Sequence, residues 1–456
     1  MSKSLFNLFD DVSVKAWKQK IQSDLKGADY NETLIWKSLE GIDVKPFYHS
    51  EDFKVLPEVS NAKACDWKIC EVVNEDSCLQ AKQKALHALS HGAESIRFVF
   101  KNKDCDLKTV LEDINLSSTP IYFELQFLSS DFVNKLDAIA KDNNASFYVL
   151  TDIIGNLAKT GNWFSNLNDD HKQLEAIVAT SNLESVLSVD LSLYQNAGAH
   201  SVQQLAYSLA QANEYLNHFN GNIGNHIIFK VSTGGNYFFE IAKIRALRIL
   251  WDALATEYNS DTKCHIISEP SKRNKTIYDY NVNMLRTTTE SMSAVLGGAN
   301  AISNLAYDAI YHENTEFGNR ISRNQLLVLK HESYFNAVNN PSDGSYYIET
   351  LTTQFAEKAL DLFKHIESNG GLLRMLKEGT LQRKIKESAN KELQLFKDGK
   401  EVLLGTNKHP NPDDKMKGEL EKNPFVEIKV RKTLIEPIIE KRLADDAEQE
   451  RLKTEC

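Results

Sequence analysis

The hydrophobic pattern between residues 65 and 332 alternates regularly between two periods. Short runs rich in β-branched and aromatic residues are each followed by a longer run with the apolar spacing of an amphipathic helix. We count eight such strand–helix units, and eight in roughly 265 residues are typical of a (β/α)8 TIM barrel. The predicted strands are residues 67–73, 95–100, 120–127, 145–152, 185–191, 226–231, 264–268 and 301–304.

The predicted helices support a barrel over an open doubly wound sheet. An open sheet that binds a nucleotide would carry a Gly-rich loop after its first strand, and Asn74-Glu-Asp-Ser stands there instead. The clearest helical patterns cover residues 77–91, 130–142, 200–219, 236–258, 279–296 and 315–331.

The segments outside the barrel lack a hydrophobic core of their own. Residues 1–64 form an N-terminal arm, with one helix up to Leu25 and a hairpin of residues 34–36 against 42–46 around a Gly turn. We expect Trp17, Leu25, Trp36 and Tyr48 of this arm to anchor a partner protein.

The C-terminal third divides in the same way. Residues 333–400 form a helical segment with helices at 346–368 and from about 372 to 397. Residues 401–456 form a charged arm with a strand-like piece at 425–430 and a helix from about 434 to 453.

Composition narrows the possible functions. The net charge of −10 argues against a nucleic-acid or anionic-membrane partner, and no apolar run approaches the ~20 residues of a membrane helix. The N-terminus does not have the pattern of a signal peptide, so we expect a cytoplasmic protein. The six cysteines lack zinc-site spacing, and we expect reduced thiols.

Barrel enzymes carry their catalytic side chains at the C-terminal ends of the strands, and this sequence places few reactive residues there. No histidine follows a strand, and no Ser or Cys stands in a nucleophile-elbow context. His87 and His91 share a helix face without a third ligand, so we predict no metal site. The polar residues near strand ends include Gln126, Asp152, Asp190, Gln195, Asn196, Lys230 and Ser232.

Several motifs together resemble the barrel region of the adenosylcobalamin-dependent acyl-CoA mutases, specifically methylmalonyl-CoA mutase. They include Gln-Asn-Ala-Gly-Ala at 195–199 and Phe-Gly-Asn-Arg at 317–320. They occur in the family's order over most of the chain. The matching segments are residues 24–29, 41–48, 194–199, 238–245, 286–290, 294–298, 317–324, 343–347 and 404–408.

The resemblance implies a radical isomerase that interconverts methylmalonyl-CoA and succinyl-CoA, but three features of the catalytic members are missing. Ser192 and Leu193 occupy the position of the family's Tyr-His pair. The Asp-x-His-x-x-Gly cobalamin motif has no match, and neither does the segment whose Tyr and Arg line the substrate cavity.

These departures resemble the small, non-catalytic subunit of a heterodimer. The resemblance then implies adenosylcobalamin on a large methylmalonyl-CoA mutase subunit, no cofactor on this chain, and a vestigial pocket of Gln126, Gln195, Asn196, Lys230 and Ser232. Two alternatives remain open: an autonomous barrel lyase or aldolase using Lys230 or the Asp152/Asp190 pair, or a catalytic barrel with its cobalamin domain on another chain.

Overall fold

Eight parallel strands close into a barrel, which confirms the predicted (β/α)8 fold. The structure is a computed structural model that describes residues 12–55, 64–313, 315–427 and 431–455. The barrel order is β10-β3-β4-β5-β6-β7-β8-β9, and a separate two-stranded hairpin precedes it. The strands are Trp36–Lys37 (β1), Asp43–Val44 (β2), Lys68–Val73 (β3), Ser95–Phe100 (β4), Ile121–Leu125 (β5), Phe147–Leu150 (β6), Ser185–Asp190 (β7), His226–Thr233 (β8), Lys263–Pro270 (β9) and Ala301–Ile302 (β10).

Long helices surround the barrel, and short helices occur within some of the loops at its C-terminal end. They are Val14–Asp24 (α1), Tyr30–Leu34 (α2), Cys78–Ser90 (α3), Leu107–Leu111 (α4), Ser130–Asn143 (α5), Ile153–Thr160 (α6), Leu167–Thr180 (α7), Leu191–Asn196 (α8), Ser201–Phe219 (α9), Tyr237–Glu257 (α10), Val282–Leu296 (α11), Glu316–Leu327 (α12), Tyr346–Ser368 (α13), Leu372–Lys377 (α14), Thr380–Lys397 (α15) and Asp445–Thr454 (α16). A π-helical turn, Val328–Glu332, extends α12.

Alternation along each strand divides the barrel into an outer and an inner core. On β4, Ile96, Phe98 and Phe100 pack with the surrounding helices. The inner core is smaller and closes the barrel axis, so the interior is filled rather than open. Its buried members are Cys70, Tyr122, Leu150, Ile228, Ile267 and Ala301.

The N-terminal hairpin is confirmed, because Trp36 pairs with Val44 in an antiparallel register. Its first strand begins later than expected, since α2 occupies the residues up to Leu34. Ile42 and Val44 are buried, so the hairpin docks on the barrel of its own chain. In contrast, α1 has no buried residue.

Two expectations for the C-terminal third were wrong, and a third lies partly outside the described residues. The helix expected over 372–397 is interrupted at Gly379, whose φ of +72° lies in the left-handed region. The helix expected over 434–453 is present only as α16, because Pro437 disfavours helix before it and the backbone there bonds to barrel loops. The strand-like piece is irregular at 425–427, and 428–430 lie outside the described residues.

The cysteines differ in part from the expectation of reduced thiols. Cys78, at the start of α3, and Cys105, in the loop before α4, form a disulfide. Cys70 and Cys264 are free thiols. Across the described ranges, no helix is both long and apolar enough to cross a membrane.

Candidate functional site at the barrel mouth

The C-terminal mouth of the barrel is crossed by a layer of ion pairs, which we call the mouth layer. It joins Arg97 of β4, Glu124 of β5, Asp190 of β7, Lys230 of β8 and Glu269 of β9. Alternation places these side chains above the inner core. The N–O distances are 2.5 Å for Arg97–Glu269, 3.0 Å for Lys230–Glu124, 3.3 Å for Lys230–Asp190, 3.7 Å for Arg97–Glu124 and 3.9 Å for Lys230–Glu269.

The charges of this layer fix one another's protonation state. Burial by itself would lower the pKa of Lys230, but Asp190, Glu124 and Glu269 raise it far above its ordinary value. Burial would raise the pKa of Glu269, but Lys230 and Arg97 hold it far below its ordinary value. Lys230 is therefore a charged ammonium and is not suited to Schiff-base chemistry, which needs a neutral amine.

Asp152 sits at the edge of the mouth and holds loops together. Its carboxylate accepts hydrogen bonds from Gly155 N at 2.7 Å, Tyr215 OH at 2.7 Å and Gln211 Nε2 at 2.6 Å. It also accepts one from the backbone N of Asp190 at 3.2 Å. Burial raises the pKa of Asp152 to about 6, and the charge of Asp190 adds to the rise. With its donors already placed, Asp152 acts as a structural anchor.

Ser192 and Leu193 lie on the short helix α8 directly after β7. Ser192 N donates to Asp190 Oδ1 at 2.9 Å, and its hydroxyl bonds to the same oxygen. Leu193 is buried in the main hydrophobic core. The position therefore carries an aliphatic packing residue, which can neither donate a proton nor polarise a carbonyl.

The C-terminal chain crosses the loops at the mouth. Residues 434–443, which we call the tail segment, bond through their backbone to loops that follow β6, β7 and β9. Gly161 must be glycine there, because a Cβ atom would lie 2.7 Å from the carbonyl oxygen of Ile435. The backbone bonds are Ile435 N to Gly161 O at 3.2 Å, Ile438 N to Ala158 O at 2.8 Å, Lys441 N to Asn196 O at 3.0 Å and Leu443 N to Arg273 O at 2.7 Å.

The five residues of the predicted vestigial pocket are dispersed over this face. Lys230 belongs to the mouth layer, Ser232 is fully buried, and Gln126 is exposed. Gln195 lines a cavity of about 1040 Å³ beneath the N-terminal hairpin. Asn196 lines a different, smaller pocket beneath the tail segment. Binding by any of the five stays a prediction.

Sequence reasoning missed Arg97 and Glu124 as part of the mouth. Each is the only charged residue in an otherwise apolar or small-residue strand, Ser95–Phe100 and Ile121–Leu125. A lone charge at an inward position was the available signal, because a buried charge requires a partner.

The four expected interface residues lie in different environments. Trp17 and Trp36 are half exposed, at 50% and 51%. Leu25 and Tyr48 are partly buried. Trp36 contacts Phe239 of its own chain with ring centroids 5.3 Å apart. The imidazole rings of His87 and His91 stack with centroids 4.1 Å apart, and the described part of the chain contains no group of three metal-ligating side chains.

The fold and mouth define a filled (β/α)8 barrel with its own tail across the C-terminal loops. The family model for methylmalonyl-CoA mutase matches residues 102–453. The chain belongs to the methylmalonyl-CoA mutase family.

Individual relatives agree with this assignment. The chain is 34% identical to the methylmalonyl-CoA mutase small subunit of Porphyromonas gingivalis, over 90% of this chain and 71% of that protein. It is 28% identical to the methylmalonyl-CoA mutase of Cereibacter sphaeroides and 24% identical to that of Escherichia coli, and it spans 64% of each. Among solved structures, a dihydropteroate synthase from Thermus thermophilus matches with a TM-score of 0.33 at 12% identity, over 59% of this chain and 98% of that one.

Proposed function

We propose that this chain is the non-catalytic small subunit of a heterodimeric methylmalonyl-CoA mutase. In this proposal it stabilises a large subunit that holds adenosylcobalamin and isomerises methylmalonyl-CoA and succinyl-CoA. The observation that carries the proposal is the filled barrel axis, where the mouth layer joins the strand ends by ion pairs. An acyl-CoA reaching through the axis would have to displace these ion pairs.

The residues around the mouth do not fit a cobalamin. The tail segment occupies loop carbonyls on the face where the family resemblance would place the cofactor. The part of the chain that the structure describes contains one barrel and one hairpin sheet, without a second sheet domain. We therefore assign no catalytic step to a cofactor on this chain.

Substrate activation is also unsupported at the loop after β7. Leu193 is 3% exposed and packed in the core, so a substrate carbonyl would meet no donor from its side chain. The neighbouring Ser192 hydroxyl is already committed to Asp190.

A partner interface is supported by α1. Its stripe of Val14, Trp17 and Ile21 continues to Leu25, yet none of the helix residues is buried. An isolated amphipathic helix of 11 residues is marginal in water, so α1 needs a second surface to cover the stripe. The large subunit is the surface we propose.

The two alternatives receive less support. A lyase or aldolase working through Lys230 would need a neutral amine, whereas three carboxylates keep this group charged. A catalytic barrel completed by a separate cobalamin domain would need a substrate-activating side chain after β7, whereas Leu193 there is aliphatic and buried.

The test is mutase turnover with adenosylcobalamin, for this chain alone and after co-expression with a full-length large subunit. We expect no turnover alone, and a 1:1 complex with turnover together. Turnover by this chain alone contradicts the proposal.

A single variant distinguishes two causes of inactivity, the absence of one catalytic residue and the absence of the whole substrate site. We expect Leu193→His to remain inactive when a cobalamin domain is supplied, because the mouth layer still fills the barrel axis. Activity gained by Leu193→His would mean that only this position had been lost.

A further inference from the structure

A disulfide at the C-terminal end of the barrel has no part in the proposed function. Cys78, the first residue of α3, is bonded to Cys105, which lies in the loop between β4 and α4. Because β3 and β4 are paired neighbours, the bond ties the first two strand–helix units of the barrel together. We call residues 101–106 the β4 loop.

This disulfide is accessible from solvent, unlike the two free thiols. Cys78 and Cys105 are only partly buried, and residues 101–104 beside them are exposed. Disulfides that a thiolate can reach from solvent are the ones that exchange readily. In contrast, Cys70 is 4% exposed, and burial raises the pKa of Cys264 to about 12, so neither thiol competes as a nucleophile near neutral pH.

The surrounding scaffold holds the two cysteines close together whether or not the bond is formed. The parallel pairing of β3 with β4 fixes the starts of both loops. Ala81 of α3 and Val110 of α4 are both buried in the outer core, which positions the helices behind the loops. The Cα atoms of the two cysteines lie 5.7 Å apart, within the usual range for a disulfide. The bond can therefore open and re-form without rearrangement of the barrel.

The two sulfurs differ as leaving groups. Cys78 stands at the start of α3, a helix of 13 residues, where the amide groups of the first turn stabilise a thiolate. Among the described residues, the Ser77 side chain makes no capping hydrogen bond that would occupy those amides. Cys105 lies between Asp104 and Asp106 in the sequence, and these carboxylates disfavour a thiolate there. Cys78 is therefore the better leaving group.

We propose that the Cys78–Cys105 pair is a reversible thiol–disulfide exchange site whose co-reactant is a dithiol. One thiolate of the dithiol attacks Sγ of Cys105, the bond between the two protein sulfurs breaks, and its electron pair leaves on Sγ of Cys78. The second thiolate of the dithiol then displaces Sγ of Cys105. The protein gains two electrons and takes two protons from water, and the dithiol is oxidised to its own disulfide.

Opening the bond should loosen the β4 loop. Besides the disulfide, an ion pair ties this loop to the chain before α3, since Lys101 lies 2.8 Å from Asp76. The two side chains are 49% and 79% exposed, and an ion pair in water contributes little to stability. The disulfide is the stronger tie, so its reduction should increase local opening of the loop while the barrel stays folded.

The first test treats the folded full chain with dithiothreitol, alkylates it without denaturant and maps the modified peptides by mass spectrometry. We expect Cys78 and Cys105 to be alkylated and Cys70 to stay unmodified, and oxidised glutathione should restore the bond. Brief exposure to reduced glutathione, quenched with acid, should trap the mixed disulfide on Cys105. In Cys78→Ser this mixed disulfide should persist, because no second thiol can displace it.

The second test measures the β4 loop by limited trypsin digestion. Cleavage after Lys103 places the two cysteines on different fragments, which a non-reducing gel keeps together only if the bond is intact. We expect cleavage there to be several-fold faster after reduction. The variant Cys78→Ser/Cys105→Ser should be cut at the faster rate in both redox states, while the control Cys264→Ser should respond like the native chain. Circular dichroism checks that each variant is folded.

Three outcomes overturn the proposal. They are a bond that dithiothreitol reduces only after the chain is denatured, glutathione trapped on Cys78 instead of Cys105, and trypsin cleavage after Lys103 that is the same in both redox states. None of them depends on the chain being a mutase subunit, so these tests and the turnover test fail separately.

Discussion

Replacing Lys230 by Met should destabilise the folded chain strongly. The substitution keeps the length of the side chain but removes the cation that lies 3.0 Å from Glu124, 3.3 Å from Asp190 and 3.9 Å from Glu269. Glu124 and Glu269 would then share Arg97, and Asp190 would lose the cation it pairs with, so uncompensated negative charge would remain in the barrel mouth.

The expected loss follows from the burial of the layer. Breaking a well-buried ion pair costs about 3–5 kcal/mol. Lys230 is 11% exposed, but its carboxylate partners are 18% to 26% exposed and retain some water. We therefore expect the lower end, about 3 kcal/mol, or roughly a hundredfold in the folding equilibrium. Lys230→Arg, which keeps the charge, should lose much less.

Urea unfolding followed by circular dichroism measures this loss, first at pH 7 and then towards pH 4. In the native chain the pKa of Glu269 lies below its ordinary value of 4.5, so its stabilisation is present above that value and is lost as the pH falls through the folded pKa. In Lys230→Met the carboxylate pKa values rise, and protonation relieves the excess charge. The deficit should therefore narrow as the pH falls. A loss under about 1 kcal/mol, or a deficit independent of pH, would refute the reasoning.

Three further predictions concern His265 of β9, the tail segment and α1. Burial lowers the pKa of His265 from 6.5 to about 3, so its imidazole should stay neutral by NMR from pH 7 to 4.5. The unfolded chain takes up this proton below pH 6.5, so the free energy of unfolding should fall there by up to about 1.4 kcal/mol per pH unit from this site. An NMR titration midpoint above pH 5 would contradict this. Ile438→Ala should lower the free energy of unfolding in urea by about 2 kcal/mol, because Ile438 is 5% exposed. The control Leu434→Ala removes a side chain that is 68% exposed and should cost under about 0.5 kcal/mol. Equal losses would mean that the tail segment is not docked. Trp17 is 50% exposed and its ring lies 6.1 Å from that of Phe47, so Trp17→Ala should cost the isolated chain under about 1 kcal/mol. It should weaken binding to the proposed large subunit by about 2 kcal/mol in titration calorimetry, and undiminished affinity would remove α1 from the interface.

Local patterns were sufficient for the barrel. The strand predicted at 95–100 matches β4 residue for residue, and the helix predicted to end at about Ser368 ends there as α13. Both elements have the full periodicity of their type, and tertiary contacts reinforce that preference. The family could likewise be read from linear motifs, whereas the assignment of Ser192 and Leu193 to the position of its Tyr-His pair stays a prediction.

The sequence determined less where an element is short or its ends depend on distant contacts. The break between α14 and α15 requires a left-handed residue at Gly379, and no interruption of the hydrophobic pattern marks it. The sequence of the tail segment suggests a helix, but the backbone of Ile435 and Ile438 bonds instead to loops more than 270 residues away in sequence.

The candidate site was decided by tertiary structure. Arg97 and Glu269 are 172 residues apart, and only closure of the barrel brings their side chains to 2.5 Å. Likewise, the sequence allows Lys230 to be a nucleophile, but in the structure it pairs with three carboxylates on other strands and is a structural cation. The sequence by itself determined the elements, since these follow from neighbours along the chain. The chemistry of the mouth depended on partners that only the closed fold supplies, because charge and burial act through space.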